Sequence, residues 1–454
     1  MLTVLRQTWP LLLGILLLMV GNGMQGTLLG IRGRIEGIDT FYMSLVMSAY
    51  FAGFLFGSRM VPDLIARVGH VRVFAALGSL ISAVLILYAA WPSWPAWMVM
   101  RVLIGFSFSG VYITAESWLN AGSTNETRGQ ALSLYMIMQM LGIVTAQGLL
   151  NVGDPAGYLL FVIPSVLVSI SFTPILLSAS PAPSFETIQR MTFKRLWQTS
   201  PLGMIGIFLL GGVFSAMFGM ASVWGTAAGL SVRQISEFVA AIYVGGMVLQ
   251  YPIGWASDRM DRRVLIAGSA LIGGVMTGIV FLFNPPFVVL LVAAALIGGF
   301  ANPLYSLLIA YTNDYLDYSD MAAASAGLMF VNGLGAVSGP ILTGWLMGLV
   351  GPGGFFLYIG VLFFAIAGYA GWRMTRRESL SPADTGAYAV ISPTATAVAV
   401  EAVLEVAQEE AEAAADEAAE ADAAAAELAA DQVAADEADA AVEAAEQDSK
   451  DARA

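Results

Sequence analysis

The chain contains no cysteine and a single histidine, His70. Disulfide frameworks, thiol nucleophiles and cysteine-ligated metals are thereby excluded, and so are histidine-rich metal sites. Charge is scarce as well. Only 12% of residues are Asp, Glu, Lys or Arg, against about a quarter in a soluble domain. Apolar residues make up 58% of the chain and mean hydropathy is +0.75, more apolar surface than one water-soluble domain can cover. Alternating segments of about ten residues, the pattern of an outer-membrane barrel, are missing. No Gly-rich loop ends in Lys-Ser/Thr, so ATP drive is not expected. No nucleophile–base constellation is visible, so the chain does not read as an enzyme, and no cofactor, metal or nucleic-acid partner is expected. What remains is an all-α membrane protein.

The net charge of −13 has to be split before it means anything. Residues 401–454 hold 18 acidic and 2 basic residues, and residues 1–400 hold 15 acidic and 18 basic ones. The acidity belongs to a tail, while the apolar part is slightly basic. That tail is mostly Ala, Glu and Asp. Its few large apolar residues cannot bury a core, so it is expected to be a solvated helix or disordered.

A spanning helix needs about 20 mostly apolar residues. Twelve stretches qualify: 9–31, 41–62, 72–91, 96–118, 129–151, 156–178, 201–224, 235–256, 263–283, 286–311, 323–349 and 353–373. The first runs from behind Arg6 to Gly30 without a small-x-small cleavage site, so it reads as a span and not as a signal peptide. With the N-terminus inside, 14 basic residues fall on the cytoplasmic side, and only Arg32, Arg34 and Arg233 fall outside. Both termini are then cytoplasmic and the protein sits in the inner membrane. Trp91, Trp94 and Trp97 read as an outward interfacial belt.

The spans divide six and six. The domains are expected at 1–178 and 201–374, joined by a Pro-containing cytoplasmic linker at 179–200 and followed by the tail at 375–454. The halves repeat. Tyr50 and Gly53 match Tyr243 and Gly246 at an offset of 193 residues, and Gln139 and Gly142 match Asn332 and Gly335 at the same offset. Gly26-Thr27 matches Gly225-Thr226 at 199. Six spans per half preserve orientation, so the halves are parallel repeats with a site at their interface.

The loop after span eight reads Gly254-Trp-Ala-Ser-Asp258-Arg259-Met-Asp261-Arg262-Arg263. It resembles the G-x-x-x-D-R-x-G/D-R-R/K signature of the major facilitator superfamily, and the resemblance covers about residues 1–375. The copy after span two departs from it. Aligned on Arg67, the glycine position holds Pro62 and the acid position Ala66, with Asp63 one turn earlier, Gly69 and Arg72 following. The first half, with Gly21-Asn22-Gly23-Met24-Gln25-Gly26-Thr27 and Glu116-Ser117-Trp118-Leu119-Asn120, is similar to the YcaD-type branch. The resemblance implies a secondary transporter of twelve helices, in which these loops gate the cytoplasmic side through helix-end charge contacts.

Charge inside lipid is costly and usually functional. Arg101, in Arg101-Val-Leu-Ile-Gly105, resembles the superfamily's span-four pattern associated with proton-coupled antiport. It either faces a cavity or snorkels to the interface beside Trp97. Glu116 lies 15 residues further along the helix, too far for a direct pair; it takes up a proton or pairs with Arg67 or Arg128. Asn22 and Gln25 share a helix face, and with Tyr50, Gln139, Tyr243, Asn302 and Asn332 they are candidate cavity residues. Span five has Gly142-x-x-x-Ala146-Gln147 where an antiporter-type pattern would have Gly-Pro. The expected function is solute movement by alternating access, with protons as a candidate partner and efflux of organic compounds favoured. Uptake of a metabolite and a non-transporting sensor or scaffold are the alternatives. The chain is expected to act as a monomer in the lipid bilayer on a small-molecule substrate.

Overall fold

The computed structural model describes residues 2–176, 191–376, 385–386, 388–409 and a few tail positions (413, 420–421, 423–426 and 432). Its packed body runs from Met1 to Val406, and Ala407–Ala454 form a separate unit whose described positions are helical. The rest of the tail, and residues 179–190 of the linker expected at 179–200, lie outside the described residues.

The first half consists of α1 (Leu2–Ile35), α2 (Thr40–Val68), α3 (His70–Ala90), α4 (Trp94–Ala121), α5 (Asn125–Leu149) and α6 (Leu159–Leu176). A short helix, α7 (Phe193–Thr199), lies in the linker. The seventh span is broken into α8 (Pro201–Ser215), a π-helical turn (Ala216–Met220) and α9 (Ala221–Ala227). Then follow α10 (Val232–Ser257), α11 (Arg262–Phe283), α12 (Phe287–Asn313), α13 (Tyr318–Val350) and α14 (Gly354–Met374). Among the described residues, eleven of these spans are long and apolar enough to cross a bilayer, and α6 is a shorter apolar helix. Apolar side chains such as Val99 and Leu103 on α4, and Leu271 and Val275 on α11, are exposed on the outer surface. A water-soluble protein would bury them; here lipid covers them.

Without a hydrophobic drive between helices in lipid, packing rests on small residues that let backbones close up. Glycine does this at equivalent places in the two halves. A methyl group at Gly105 would lie 2.0 Å from the Tyr50 carbonyl oxygen, and one at Gly298 would lie 2.2 Å from that of Ile242. Gly142 closes on Leu16, and Gly335, 193 positions later, on Phe208. The offset read from the sequence is therefore also an offset of helix crossings, α2 with α4 and α10 with α12.

The halves touch closely at the end away from the linker, and towards the linker Leu55 packs on Gly333 and Arg59 lies over the Phe330 ring (5.8 Å). Gly30 of α1 lies against Ser222 of α9, and Gly344 of α13 against Ser44 of α2. Ser48 Oγ donates to the Val337 carbonyl. The Ser222, Ser44 and Ser48 contacts lie at the end away from the linker, which we term the far end. At the linker end, α7 docks on α13: Met191 N donates to the Ala323 carbonyl (2.8 Å), Leu196 is buried, and Arg195 pairs with Asp320.

Two expectations need correcting. Trp97 is fully buried, its indole N–H donating to the Tyr88 carbonyl (3.0 Å), so only Trp91 of the expected belt is strongly exposed. A buried indole needs an acceptor, and the last turn of α3 supplies one. The body also does not end at 374: residues 388–406 fold back into it. The sequence reading placed that stretch in the tail, but Ile391, Ala399, Val400 and Ala402 are all buried.

The Gly105 crossing leaves no room for a side chain. Gly105→Ala is expected to destabilise the protein by about 1–3 kcal/mol, visible as a lower melting temperature in detergent. Gly268→Ala, at a glycine with nothing within 4 Å of the added methyl, should leave the melting temperature unchanged.

Candidate functional site: a cavity between the halves

A cavity of about 740 Å³ lies between the halves, within the size range of small-molecule sites. Its lining ends at Thr27 on α1 and begins at Tyr50 on α2, short of the far-end contacts. At the linker end it is bordered by Arg59, Asp63, Met191–Phe193, Ala326, Gly327, Met329 and Phe330. The cavity is thus closed at the far end and reaches towards the linker end. The π-helical turn widens the seventh span here and brings Phe218 and Gly219 to the wall; such turns are frequent at functional sites.

All eight candidate cavity residues line this space: Asn22, Gln25, Tyr50, Arg101, Gln139, Tyr243, Asn302 and Asn332. Four are joined in one polar cluster. Arg101 Nη1 donates to Gln25 Oε1 (2.6 Å), and the Tyr50 ring lies 4.8 Å from the guanidinium carbon. Gln25 Nε2 donates to Asn22 Oδ1 (3.1 Å), and Asn22 Nδ2 to the Tyr112 hydroxyl (2.9 Å). The i,i+3 spacing of Asn22 and Gln25 makes the α1 part of this chain possible. Across the cavity, Tyr243 stacks on Phe218 at 4.7 Å, and Asn302 Nδ2 donates to the Gly298 carbonyl (3.0 Å). Gln139 Nε2 and Asn332 Oδ1 are buried without hydrogen-bond partners.

Arg101 does not snorkel to an interface; it is 3% exposed and faces the cavity. Its Nη2 is 3.3 Å from Met47 Sδ, and the buried Tyr88 hydroxyl is a further uncharged neighbour of the guanidinium. No ion pair involves it among the described residues. A guanidinium offers five N–H donors and carries a permanent charge, so this wall presents an unfilled demand for anionic acceptors.

Glu116 is placed otherwise than expected. It pairs with neither Arg67, which is exposed, nor Arg128, which pairs with Glu405. It is fully buried outside the cavity lining. The Tyr135 hydroxyl donates to Oε1 (2.9 Å), and Oε2 accepts from both the backbone N–H (3.0 Å) and the hydroxyl of Thr396. Neutral donors brought by the folded-back segment thus take the place that sequence reasoning gave to an arginine.

The two loops differ. After α10, Asp258 Oδ1 lies 4.0 Å from Arg262 Nη2 at the start of α11 and accepts from the Tyr388 backbone N–H (3.0 Å). Arg262 is buried and pairs with Asp314, which burial raises above the usual carboxylate range while Arg262 holds it down. Arg262 also donates to the Gly386 carbonyl and to Ser257 Oγ. Arg263 pairs with Asp261 (2.7 Å), and Arg259 lies over the Trp255 ring (4.4 Å). Gly254 is covered by the Tyr388 ring, 2.8 Å from where a methyl would sit. After α2, Asp63 faces the cavity mouth and, among the described residues, neither it nor Arg67 nor Arg72 forms an ion pair. Gly69 takes φ +86° at the α2–α3 junction, a backbone that disfavours any other residue. The sequence reading missed Thr396, Tyr135, Met47 and Phe218. Only Phe218 had a signal, one more aromatic in a glycine-rich span.

The family model of the Major Facilitator Superfamily matches residues 11–248 and 204–404. The chain is 26% identical over 354 residues to "Uncharacterized MFS-type transporter YcaD" of Escherichia fergusonii, covering 75% of this chain and 89% of that one. It is 24% identical to its namesake in Salmonella arizonae, over 76% and 90% of the two chains. Among solved structures, the nucleoside transporter NupG superimposes with a TM-score of 0.64 at 16% identity, over 82% of this chain and 98% of that one. A bacterial homolog of the human lysosomal transporter Spinster, inward-facing and occupied, gives 0.67 at 14%, over 84% and 98%. These likenesses support the fold, two repeats of six helices.

Because the chain has no natural cysteine, single cysteines report access directly. Asn332→Cys should react with a charged methanethiosulfonate supplied at the linker end. Ser222→Cys, in the far-end contact, should resist reagent from either side.

Proposed function

The chain belongs to the Major Facilitator Superfamily, and from that premise we propose that it exports amphipathic organic anions across the inner membrane. The family makes it a secondary transporter working in a bilayer; substrate charge, direction and coupling are argued from the cavity. The observation that carries the reading is Arg101, a buried cation on the cavity wall without a carboxylate partner. An anionic head group would complete its hydrogen bonds, with Gln25 alongside. An apolar body would lie against Tyr50, Phe218 and Tyr243, which line the same space.

The charge argument also favours a direction. An anion leaving a negative interior gains about 2.3 kcal/mol per 100 mV, so export of this substrate is driven by the membrane potential and uptake is opposed by it. Orientation rests on the basic residues: Arg59, Arg67, Arg72, Arg128, Lys194, Arg195 and Arg259 cluster at the linker end, which supports a cytoplasmic linker and cytoplasmic termini. The conformation described is then inward-facing. Glu116 is the one fully buried acid within a spanning helix among the described residues. It is the residue best placed for proton coupling, as α4 carries both it and Arg101. The protein acts as a monomer in this reading, because one chain supplies the whole cavity wall.

The test is a charge series in proteoliposomes with an imposed potential: naphthalenesulfonate, its neutral sulfonamide and a naphthyl trimethylammonium. Saturable transport of the sulfonate alone is expected. Arg101→Gln should weaken it by about 10- to 100-fold, the cost of a lost charge-assisted hydrogen bond. Transport of the cation in place of the anion would overturn the reading. Glu116→Gln should abolish the response to a pH gradient while potential-driven flux persists. Reporter fusions at residues 190 and 377 should both score cytoplasmic.

A further inference from the structure

The cavity's open end is not empty. Residues 388–405 return from behind the last span and lie between the two halves there. On the second-half side, the Gly386 N–H donates to Asp314 Oδ1 (3.2 Å), and its carbonyl accepts from Arg262. The Tyr388 N–H goes to Asp258, and its hydroxyl accepts from Gln250 Nε2 (2.8 Å). Ile391 exchanges two hydrogen bonds with Ser306 Oγ, its N–H donating (3.0 Å) and its carbonyl accepting (3.1 Å). Residues 392–398 then run along the cavity wall. On the first-half side, Thr396 holds Glu116 with both its N–H and its hydroxyl, and Glu405 pairs with Arg128 of α5. Val400 and Ala402 are buried.

We infer that residues 388–405 form an autoinhibitory strap that holds the linker end open and restrains transport. Alternating access requires the halves to approach at this end as they part at the other. The segment fills the gap that would close, and it is bonded to both sides of it. It also takes up the polar groups of the loop after α10: Asp258 and Arg262, which would hold a closed linker end, are bonded to Tyr388 and Gly386. The strap has to leave before that closure, and its release sets how much of the protein cycles. The inference rests on the transporter reading for its consequence in flux, but not for its consequence in conformation.

The experiment uses the full chain, with spin labels at Ser133→Cys on α5 and Met260→Cys behind α10, both exposed and at the linker end. The unaltered segment should give one long inter-label distance. Tyr388→Ala with Thr396→Ala should add a shorter population as the end closes. In the same vesicles, naphthalenesulfonate flux should rise on the order of tenfold, the factor from losing one or two net hydrogen bonds. A chain ending at residue 385 should behave like the double variant, and a synthetic peptide of residues 386–405, but not its scrambled counterpart, should restore the long distance. Identical distance distributions with and without the strap contacts would overturn the inference. Shifted distances without flux in either protein would retain the strap and remove the transport reading.

Discussion

Arg101 has to keep its charge solvated inside a slab of hydrocarbon, where a bare cation costs about 3 kcal/mol or more. The surrounding structure meets this demand only in part. Gln25 supplies one acceptor, the Tyr50 ring a cation–π face and Met47 a soft sulfur. None of these carries negative charge. A carboxylate in their place would make the site self-sufficient and close it to an anionic ligand. The partial solution leaves the guanidinium ordered, through Gln25, Asn22 and Tyr112, yet unneutralised. An ordered, unneutralised cation on the cavity wall is the ground for the proposed preference for anions.

The cavity around Arg101 exists because glycines fix how the helices cross. Gly105 and Gly298 bring α2 to α4 and α10 to α12 at backbone contact, so each half is stiff. Contacts between halves are of another kind. At the far end they are small, Gly30 on Ser222 and Gly344 on Ser44; small flush surfaces can part without unpairing charges. Rigid halves with a separable seam are the physical requirement for rocking about a central site.

Much of this was legible in the sequence, for reasons that name themselves. Long apolar runs report spans because the bilayer tolerates little else. The 193-residue offset reports duplication because the same crossing needs the same glycine. Asn22, Gln25 and Arg101 stood out because polar groups in lipid need a reason. The seventh span's π-helical turn had no such signal, since its residues are as apolar as their neighbours. Trp97 misled, because an indole near a helix start fits an interface and a core equally well. The strap was the largest omission. Its residues are mostly Ala, Val, Ser and Thr, and many of its hydrogen bonds use backbone N–H and carbonyl groups that every sequence carries. Glu116 was consequently read as taking up a proton or pairing with an arginine, when its donors are Tyr135 and Thr396, the latter 280 positions away.

The two halves began as copies but no longer carry equivalent equipment. The loop after α10 keeps Asp258, Arg259 and Arg262. Its counterpart after α2 has Ala66 at the acid position and turns Asp63 towards the cavity mouth. A protein gated by two matched loops would hold its linker end shut with both. Here only one loop is equipped, and its polar groups face the returning segment. The other half contributes Glu116, the acid buried in α4, and that too is bonded to the segment. The groups able to respond to closure on either side therefore converge on a single strand of chain. In the proposed strap, control of the linker end runs through that strand, which occupies the very groups of the one equipped loop that would otherwise hold the end shut.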